Sequence, residues 1–95
     1  MPVTLCVLLW ARAGAEPGLI EYEDAVLQLV PVHGGRLRER VRTDGADGAP
    51  LEIHVLEFPS EDALDAYMQD PQRLAMADAR DRSIERTEVH RVDVV

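Results

Sequence analysis

The sequence predicts an α+β domain with the element order β-α-β-β-α-β, in which helices cover one face of a four-stranded antiparallel sheet. Two neighbouring segments carry this prediction: residues 36–43 (RLRERVRT) alternate with period two, and residues 51–58 (LEIHVLEF) form the next strand, which Pro59 stops. A third observation is the helical spacing of apolar residues on either side of this pair. With 95 residues, 46% hydrophobic and 29% charged, residues 1–95 are expected to form a single domain.

The first strand is expected at residues 3–10 (VTLCVLLW), which are apolar on both parities and suit a strand buried on both faces. The small residues at 11–13 faintly resemble the end of a secretion signal, but no Lys or Arg precedes the apolar run. No stretch approaches the ~20 apolar residues of a membrane-spanning helix. Because the single cysteine, Cys6, cannot form an internal disulfide, we expect a cytoplasmic protein, and because no such apolar stretch is present we expect no membrane contact.

The first helix is expected after Pro17, a residue well placed near a helix start. Its apolar face is formed by residues that recur at three- and four-residue spacing: Leu19, Tyr22, Val26, Leu29, Val30 and His33. Pro31 removes a backbone donor near the end of this helix. Gly34 or Gly35 can then adopt the left-handed conformation that ends it.

The alternation in the second strand predicts that its four arginines share one face: Arg36, Arg38, Arg40 and Arg42. The turn-rich connection DGADGAP leads into residues 51–58, so the second and third strands are expected to pair antiparallel. Two registers remain open. In one of them Glu39 lies opposite His54. In the other, Arg40 faces His54 and Arg42 faces Glu52, an arrangement typical of a surface charge ladder.

Pro59 ends the third strand, and Ser60 is a good N-cap for the second helix. We expect that helix to be broken at Asp70-Pro71 and the chain to return to a strand in residues 87–95 (TEVHRVDVV). In this ferredoxin-like arrangement the helices cover only one face, yet the first strand is apolar on both. A second sheet supplied by a homodimer would cover the open face.

The motifs of the chain resemble those of a known family. The runs YEDAVLQLVPVHGGRLRERV and HVLEFPSEDALDAYMQDPQRLAMADARDRS contain the pattern Y-x-x-A…HGGR…EFPS-x-x-A…Y-x-x-P, followed by a late arginine, Arg80. Over residues 19–84 this pattern resembles an uncharacterised bacterial family within the dimeric α/β-barrel superfamily, although Asp70-Pro71 departs slightly from its usual small-residue–proline pair. The resemblance implies the ferredoxin-like fold and a dimer. More distant relatives include cofactor-free monooxygenases of antibiotic biosynthesis, muconolactone isomerases and stress-response proteins, so the resemblance implies no substrate.

Two histidines are candidate proton-transferring groups. His33 is expected at the end of the first helix, on the side facing the sheet. There it either donates to a free carbonyl of the helix end or acts as a general base at a pocket between helix and sheet. His54 lies in the middle of a strand. Beside Glu39 its imidazole would be oriented for acid/base chemistry, whereas beside Arg40 it would belong to the charge ladder.

The arginines and two aromatic residues are candidate binding groups. The arginines form either a solvated or interface face whose stems cover apolar surface, or a groove that binds a carboxylated substrate through Arg36 and Arg40. Trp10, at the end of the first strand, and Tyr22, on the first helix, are candidates for the wall of a cavity shared with His33. Core packing is the alternative role for such aromatic residues.

Several classes of partner are disfavoured. A net charge of −8 opposes binding to nucleic acid and to anionic membranes. The three histidines and the dispersed carboxylates lack the spacing of a zinc motif, and no glycine-rich phosphate loop follows a strand. We therefore expect neither a metal nor a cofactor.

The leading hypothesis is a homodimer with a small cavity between sheet and helices in each subunit, which binds a small organic molecule. Such a protein could act as a cofactor-free monooxygenase or isomerase by acid/base chemistry, with His33 handling the proton and His54 and the arginines positioning polar groups. The alternative is a non-enzymatic binding or interaction module, for which we expect histidines that titrate normally and a filled interior.

Overall fold

The computed structural model describes residues 1–95, and it confirms the predicted order of strands and helices. The four strands are β1 (Val3–Ala11), β2 (Arg36–Arg42), β3 (Glu52–Phe58) and β4 (Ile84–Arg91). The helices are α1 (Glu16–Val26), α2 (Glu61–Met68), α3 (Pro71–Leu74) and α4 (Ala77–Ser83). Short 3₁₀ turns follow α1 at Leu27–Leu29 and Pro31–His33 and lie between β2 and β3 at Ala46–Gly48.

The strands form one antiparallel sheet in the order β2-β3-β1-β4. β1 is therefore a central strand with a hydrogen-bonded neighbour on each side. β2 and β4 are the edge strands. This is the predicted ferredoxin-like α+β architecture.

The hydrophobic core lies between one face of the sheet and the helices. Its largest fully buried apolar side chains are Leu19 of α1, Val30 between the two 3₁₀ turns, and Phe58 of β3. β1 and β3 contribute alternate residues to this side, including Leu5 opposite Leu56. The same side also receives two buried polar residues of β3, Glu52 and His54, which are 0% and 1% exposed.

The other side of the sheet has no helix over it, and we call it the open face. Its centre is formed by residues of three neighbouring strands: Cys6, Leu8, Val41, Ile53 and Val55. Four of them are half-buried, and Val41 is 49% exposed. Charged residues of the edge strand β4 flank this apolar centre.

The predicted caps are confirmed, but the first helix ends earlier than expected: α1 stops at Val26, and the 3₁₀ turns Leu27–Leu29 and Pro31–His33 take the place of its last turns. Gly34, in the left-handed conformation with φ 75°, follows the second 3₁₀ turn. Ser60 caps α2 by accepting a hydrogen bond from the Ala63 N–H at 3.1 Å. Asp70 caps α3 in the same way, accepting from the Gln72 N–H at 2.8 Å, so the second helical region is broken at the expected residue.

The second glycine of the HGGR motif is required by packing. A Cβ atom on Gly35 would lie 2.8 Å from both Phe58 Cε1 and Val30 Cγ1, which is closer than real contacts allow. We expect Gly35→Ala to lower the free energy of unfolding by about 1–3 kcal/mol, the usual cost of overfilling a packed core. Urea denaturation measures this change, and a loss below about 0.5 kcal/mol, typical of neutral surface substitutions, would contradict it.

The second strand departs from its predicted alternation at a β-bulge. Leu37 pairs with Leu56, but the next residue in register with β3 is Glu39, which pairs with Val55, so Arg38 is the extra residue. A bulge of this kind reverses the face on which the following side chains lie.

The bulge divides the four arginines between the two faces of the sheet. Arg36 and Arg38 lie on the open face and pair with Glu57. Arg40 and Arg42 lie on the helix-covered side, as pairs of His54 and Glu52. The expectation that all four arginines share one face is therefore wrong.

None of the helices has the length and apolar character needed to cross a bilayer.

Candidate functional site

A cavity of about 350 Å³ lies between the sheet and the helices. Eighteen residues line it, and twelve of them are hydrophobic. Both the volume and this apolar character are typical of sites for small organic molecules. The remaining six are polar or charged and come from β3, β4 and three of the helices: Glu23, His54, Arg73, Arg80, Thr87 and Arg91.

A wider depression of about 560 Å³ lies at the edge of the sheet, beside the two chain ends. Its walls are solvent-exposed, with Met1 98% exposed and a surface ion pair between Glu61 and Arg91. No buried titratable group faces it, so we place the candidate site in the smaller cavity.

Glu52 is the centre of a buried charge network. It accepts hydrogen bonds from Arg40 Nε at 2.9 Å, from Arg42 Nη2 at 2.7 Å and from His54 Nε2 at 2.7 Å. Arg40 also donates to Asp24 of α1 at 2.7 Å, so the network joins β2 to that helix. Burial by itself would raise the pKa of Glu52, but the hydrogen bonds from Arg40, His54 and Arg42 outweigh it and lower that pKa, so Glu52 is an anion.

This network fixes the protonation of His54. Burial lowers the pKa of His54 and outweighs the opposing effect of Glu52, so the imidazole is neutral near pH 7. Because the Glu52 anion can only accept, His54 Nε2 carries the hydrogen and donates it. His54 Nδ1 is then left with a free lone pair, and it lies 4.0 Å from Glu23 Oε2.

Glu23 is the second titratable group of the cavity and the more unusual one. It lies on the buried face of α1 and is only 5% exposed, yet no protein group donates a hydrogen bond to its carboxyl. Burial, together with repulsion from Glu52, raises the pKa of Glu23 to about 7. Both protonation states of Glu23 are therefore populated at neutral pH, which is the condition for an efficient proton-transferring group.

Two tyrosines complete the walls around Glu23. Tyr22 and Tyr67 line the cavity, and burial raises the pKa of each hydroxyl. Both phenols are therefore neutral at physiological pH and can donate a hydrogen bond to a ligand. The prediction that Tyr22 lines a cavity is consistent with this placement.

His33 lies outside the cavity. Its Nε2 donates to Asp70 Oδ2 at 2.6 Å, and this hydrogen bond, with that from the Gln72 N–H, lowers the pKa of Asp70. The ring of Tyr67, edge-on to His33 at 6.3 Å between ring centroids, belongs to the cavity wall, whereas His33 does not. His33 therefore connects the end of the first helical region to the cap of α3 rather than donating to a free carbonyl.

Trp10 also lies away from the cavity. It points to the open-face side of β1, where its Nε1 donates to the Gly48 carbonyl at 2.9 Å. The Arg86 guanidinium stacks on its ring at 4.5 Å from the centroid. The expectation that Trp10, Tyr22 and His33 share one cavity is therefore wrong, because only Tyr22 lines it.

The structure decides the register of β2 and β3. Arg40 faces His54 and Arg42 faces Glu52, which is the register interpreted from the sequence as a surface charge ladder. The pairing is as described, but it is not at the surface, because Glu52 and His54 are fully buried under α1. Arg36, by contrast, has a side chain 71% exposed and no part in the cavity.

Glu23 and Glu52 were not candidates from the sequence. Glu23 had a detectable signal, since it lies four residues after Leu19 and four before Leu27, on the apolar face of a helix where a carboxylate is costly to bury. Glu52 had none, because the bulge that brings two arginines over it is not visible in the alternation. No three His, Cys, Asp or Glu side chains lie together in a way that could hold a metal ion.

Comparison with known proteins supports the fold and no narrower assignment. No family model matches the chain, and no curated protein matches it. Among solved structures, the protein PA3566 from Pseudomonas aeruginosa is similar over 99% of this chain and 94% of its own, with a TM-score of 0.77 and 15% identity.

Two further solved structures are similar to this chain over nearly its whole length. A dimeric protein of unknown function with a ferredoxin-like fold, from Bacteroides fragilis, is 14% identical, covers 98% of this chain and 96% of its own, and has a TM-score of 0.66. SnoaB from Streptomyces nogalater, a cofactor-independent oxygenase, is 14% identical, covers 99% of this chain and 93% of its own, and has a TM-score of 0.74. At these identities the likeness shows a shared ferredoxin-like fold. The narrower family suggested by the HGGR and EFPS motifs stays a prediction.

Proposed function

We propose that this chain is a small-molecule-binding protein of the dimeric α/β-barrel type, whose cavity transfers a proton to or from a small organic molecule without a cofactor. One observation carries the proposal. The carboxyl of Glu23 is buried and makes no hydrogen bond with the protein, and its pKa is raised to about 7. It lies 4.0 Å from Nδ1 of a neutral His54, which carries a free lone pair, and both residues line the same largely apolar cavity. Groups poised in this way cluster at active sites.

The two groups divide the work of proton transfer. Ionised Glu23 removes a proton from an acidic C–H or O–H of the ligand. His54 is held in one tautomer by Glu52, so its Nδ1 can accept a hydrogen bond from protonated Glu23 or from the ligand. Arg40 and Arg42 keep Glu52 ionised and thereby keep the imidazole oriented. Arg40 thus acts as a positioning residue rather than as the substrate ligand expected from the sequence.

Two reaction types follow from this chemistry. If the proton returns to a different carbon, the ligand is isomerised. If the resulting carbanion meets O₂, a CH₂ group becomes a carbonyl, with one oxygen atom entering the product and the other leaving as water. The fold shared with a cofactor-independent oxygenase supports the second type.

The alternative, a non-enzymatic interaction module, predicted a filled interior and unshifted histidines. The cavity of about 350 Å³ and the lowered pKa of His54 favour the site proposed here instead. The single free cysteine, Cys6, is consistent with a cytoplasmic setting as part of the proposal.

The proposal includes a homodimer that covers the open face. Val55→Arg places a charge at the centre of that face, so we expect it to give a monomer in native mass spectrometry. Leu74→Arg is the matched control, since Leu74 is 51% exposed on α3, and it should leave the dimer intact. A wild-type protein that is monomeric at micromolar concentration would exclude this assembly.

The activity is tested by deuterium exchange. The wild-type protein is incubated in D₂O with a panel of small apolar ketones such as 2-tetralone and 1-indanone, and loss of the α-hydrogens is followed by NMR. Native mass spectrometry of the same preparation detects any co-purified ligand. Exchange above the buffer rate supports the proposal, and absence of both exchange and binding across the panel contradicts it.

A further inference from the structure

Three arginines that the proposed proton transfer does not use line the cavity; Arg91 is paired with Glu61, which leaves two without a strong ion pair. These two are Arg73 of α3 and Arg80 of α4. Each lowers the pKa of Tyr22, and each opposes the burial that raises the pKa of Glu23. The two cations therefore line the same cavity as Glu23 and influence its pKa.

Arg73 has a donor without an acceptor. Its Nε is buried and makes no hydrogen bond, while Nη1 donates to the Met68 carbonyl at 3.3 Å and the guanidinium lies 5.3 Å from the centre of the Tyr67 ring. No carboxylate forms an ion pair with Arg73, and its hydrogen bond with the Tyr67 side chain opposes the burial that raises the pKa of Tyr67. A buried donor that lacks an acceptor is costly, and a guanidinium fits a carboxylate with two parallel hydrogen bonds.

Arg80, whose side chain is 39% exposed, has only weak partners within the protein. Its contacts are a 3.4 Å hydrogen bond to Thr87 Oγ1 and a 3.9 Å approach to Asp81, whose side chain is 73% exposed. With His54 neutral and Glu23 only partly ionised, this part of the cavity is positive in a chain whose net charge is −8.

We infer that the ligand of the cavity is a small apolar carboxylate, bound at its carboxylate by Arg73 and Arg80 and placed with its reacting carbon against Glu23 and His54. This inference rests on the proposed function, since it names the substrate class of the same site. The twelve apolar lining residues require the rest of the molecule to be hydrophobic, and the volume of about 350 Å³ limits it to one or two rings.

Binding of such an anion has a measurable consequence. A carboxylate placed beside Glu23 adds a like charge and compensates the two arginines, and both effects favour the protonated form of Glu23. Binding near pH 7 should therefore take up protons from the buffer. Glu23→Gln should bind the same ligand without this uptake.

The test compares four carboxylates with their neutral amides by calorimetry at pH 7: benzoate and benzamide, phenylacetate and phenylacetamide, cinnamate and cinnamamide, 2-naphthoate and 2-naphthamide. We expect the acid of at least one pair to bind about ten- to a hundredfold more tightly than its amide, the usual effect of hydrogen bonds to a charged group. Repeating the titration in buffers of different ionisation enthalpy measures the proton uptake.

Three arginine variants assign the effect. Arg73→Met and Arg80→Met should each reduce the preference for the acid, whereas Arg82→Met, an exposed position on the same helix as Arg80, removes an equal charge and should not. Amides that bind as well as their acids in every pair would overturn the inference and leave the proposed function standing. A preference for the acid that is unchanged in both Arg73→Met and Arg80→Met would also overturn the inference. Failure of all eight compounds to bind, in a protein that exchanges the α-hydrogens of the ketones, would overturn the inference alone; failure of both the ketones and the eight compounds would contradict the proposed function itself.

Discussion

Replacing Glu23 by glutamine is expected to slow proton transfer in the cavity about a hundred- to ten-thousand-fold, the usual contribution of a general acid or base. Glutamine has nearly the same shape but cannot accept or release a proton at neutral pH. In the wild type the exchange rate should rise as the pH passes 7, because the base form of Glu23 then becomes the majority. The variant should lack this step in the pH profile of deuterium exchange.

The same substitution should also change the stability of the protein, in a pH-dependent way. The pKa of Glu23 is about 7 in the folded protein against an ordinary value of 4.5, so the folded state holds this proton more tightly. The stability that the proton contributes is complete below pH 4.5 and is lost as the pH rises through 7. Relative to the wild type, Glu23→Gln should gain about 3 kcal/mol between pH 4.5 and 8, since a tenfold difference in proton affinity between the folded and unfolded states corresponds to about 1.4 kcal/mol.

Glu21→Gln is the matched control for both effects. Glu21 lies on the exposed side of the same helix, so the charge change is equal but the carboxyl is solvated. We expect its unfolding curve and its exchange rate to follow those of the wild type at every pH. An exchange rate of Glu23→Gln within about twofold of the wild type would exclude Glu23 as the proton-transferring group, because general acid–base groups contribute far more than that.

Replacing Glu52 by alanine is expected to destabilise the protein by about 3–5 kcal/mol, the largest stability loss predicted for this chain. Glu52 is fully buried and accepts from Arg40, Arg42 and His54 together. Its removal leaves the Arg40 guanidinium, 23% exposed, with only the exposed Asp24 as a partner, and leaves the buried His54 Nε2–H without an acceptor. Urea unfolding at pH 7 measures the loss.

Glu57→Ala is the control that shows whether the stability loss of Glu52→Ala comes from the burial of Glu52 or from the number of its ion pairs. Glu57 lies on the same strand and also contacts two arginines, Arg36 and Arg38, but on the open face, where the Arg36 side chain is 71% exposed. Exposed ion pairs are screened by water, so this variant should lose no more than about 1 kcal/mol. Equal losses in the two variants would show that the Glu52 network is not effectively buried.

A milder substitution at Glu52 tests its effect on proton transfer at the site without removing its side chain from the core. Glu52→Gln keeps the side-chain shape but no longer requires His54 Nε2 to carry the hydrogen, because an amide can also donate. If His54 assists Glu23 as proposed, the exchange rate should fall even where the variant remains folded. In this variant the hydrogen of the His54 imidazole can move to Nδ1, and Nδ1 then has no lone pair for Glu23 or the ligand.

The positions of the secondary structure elements were predictable from short stretches of sequence. Period-two alternation marked β2, an apolar run marked β1, and Ser60 and Asp70 marked the starts of α2 and α3. These signals are local, because caps and periodicity depend on residues only a few positions apart. The placement of Tyr22 on the buried side of the first helix followed from the same kind of pattern.

The candidate site depended on tertiary structure. A single extra residue, Arg38, moves Arg40 and Arg42 to the side of Glu52 and His54, and the alternation of the strand shows no sign of it. His33 has helical spacing that points to the sheet, yet its partner proves to be Asp70, which lies 37 residues further along the chain. Neither pairing could be predicted from one segment alone.

The sequence by itself therefore determined the α+β class, the order of the elements, the caps at Ser60 and Asp70 and the double-sided apolarity of β1. Only the tertiary structure decided which titratable groups meet at the cavity: the buried Glu23 from α1 and His54 and Glu52 from β3, with the half-buried Arg73 and Arg80 from the last helical region. The physical reason is that hydrogen bonding within an element is set by its own residues. The desolvation and partners of a charged side chain are instead set by segments far away in the chain.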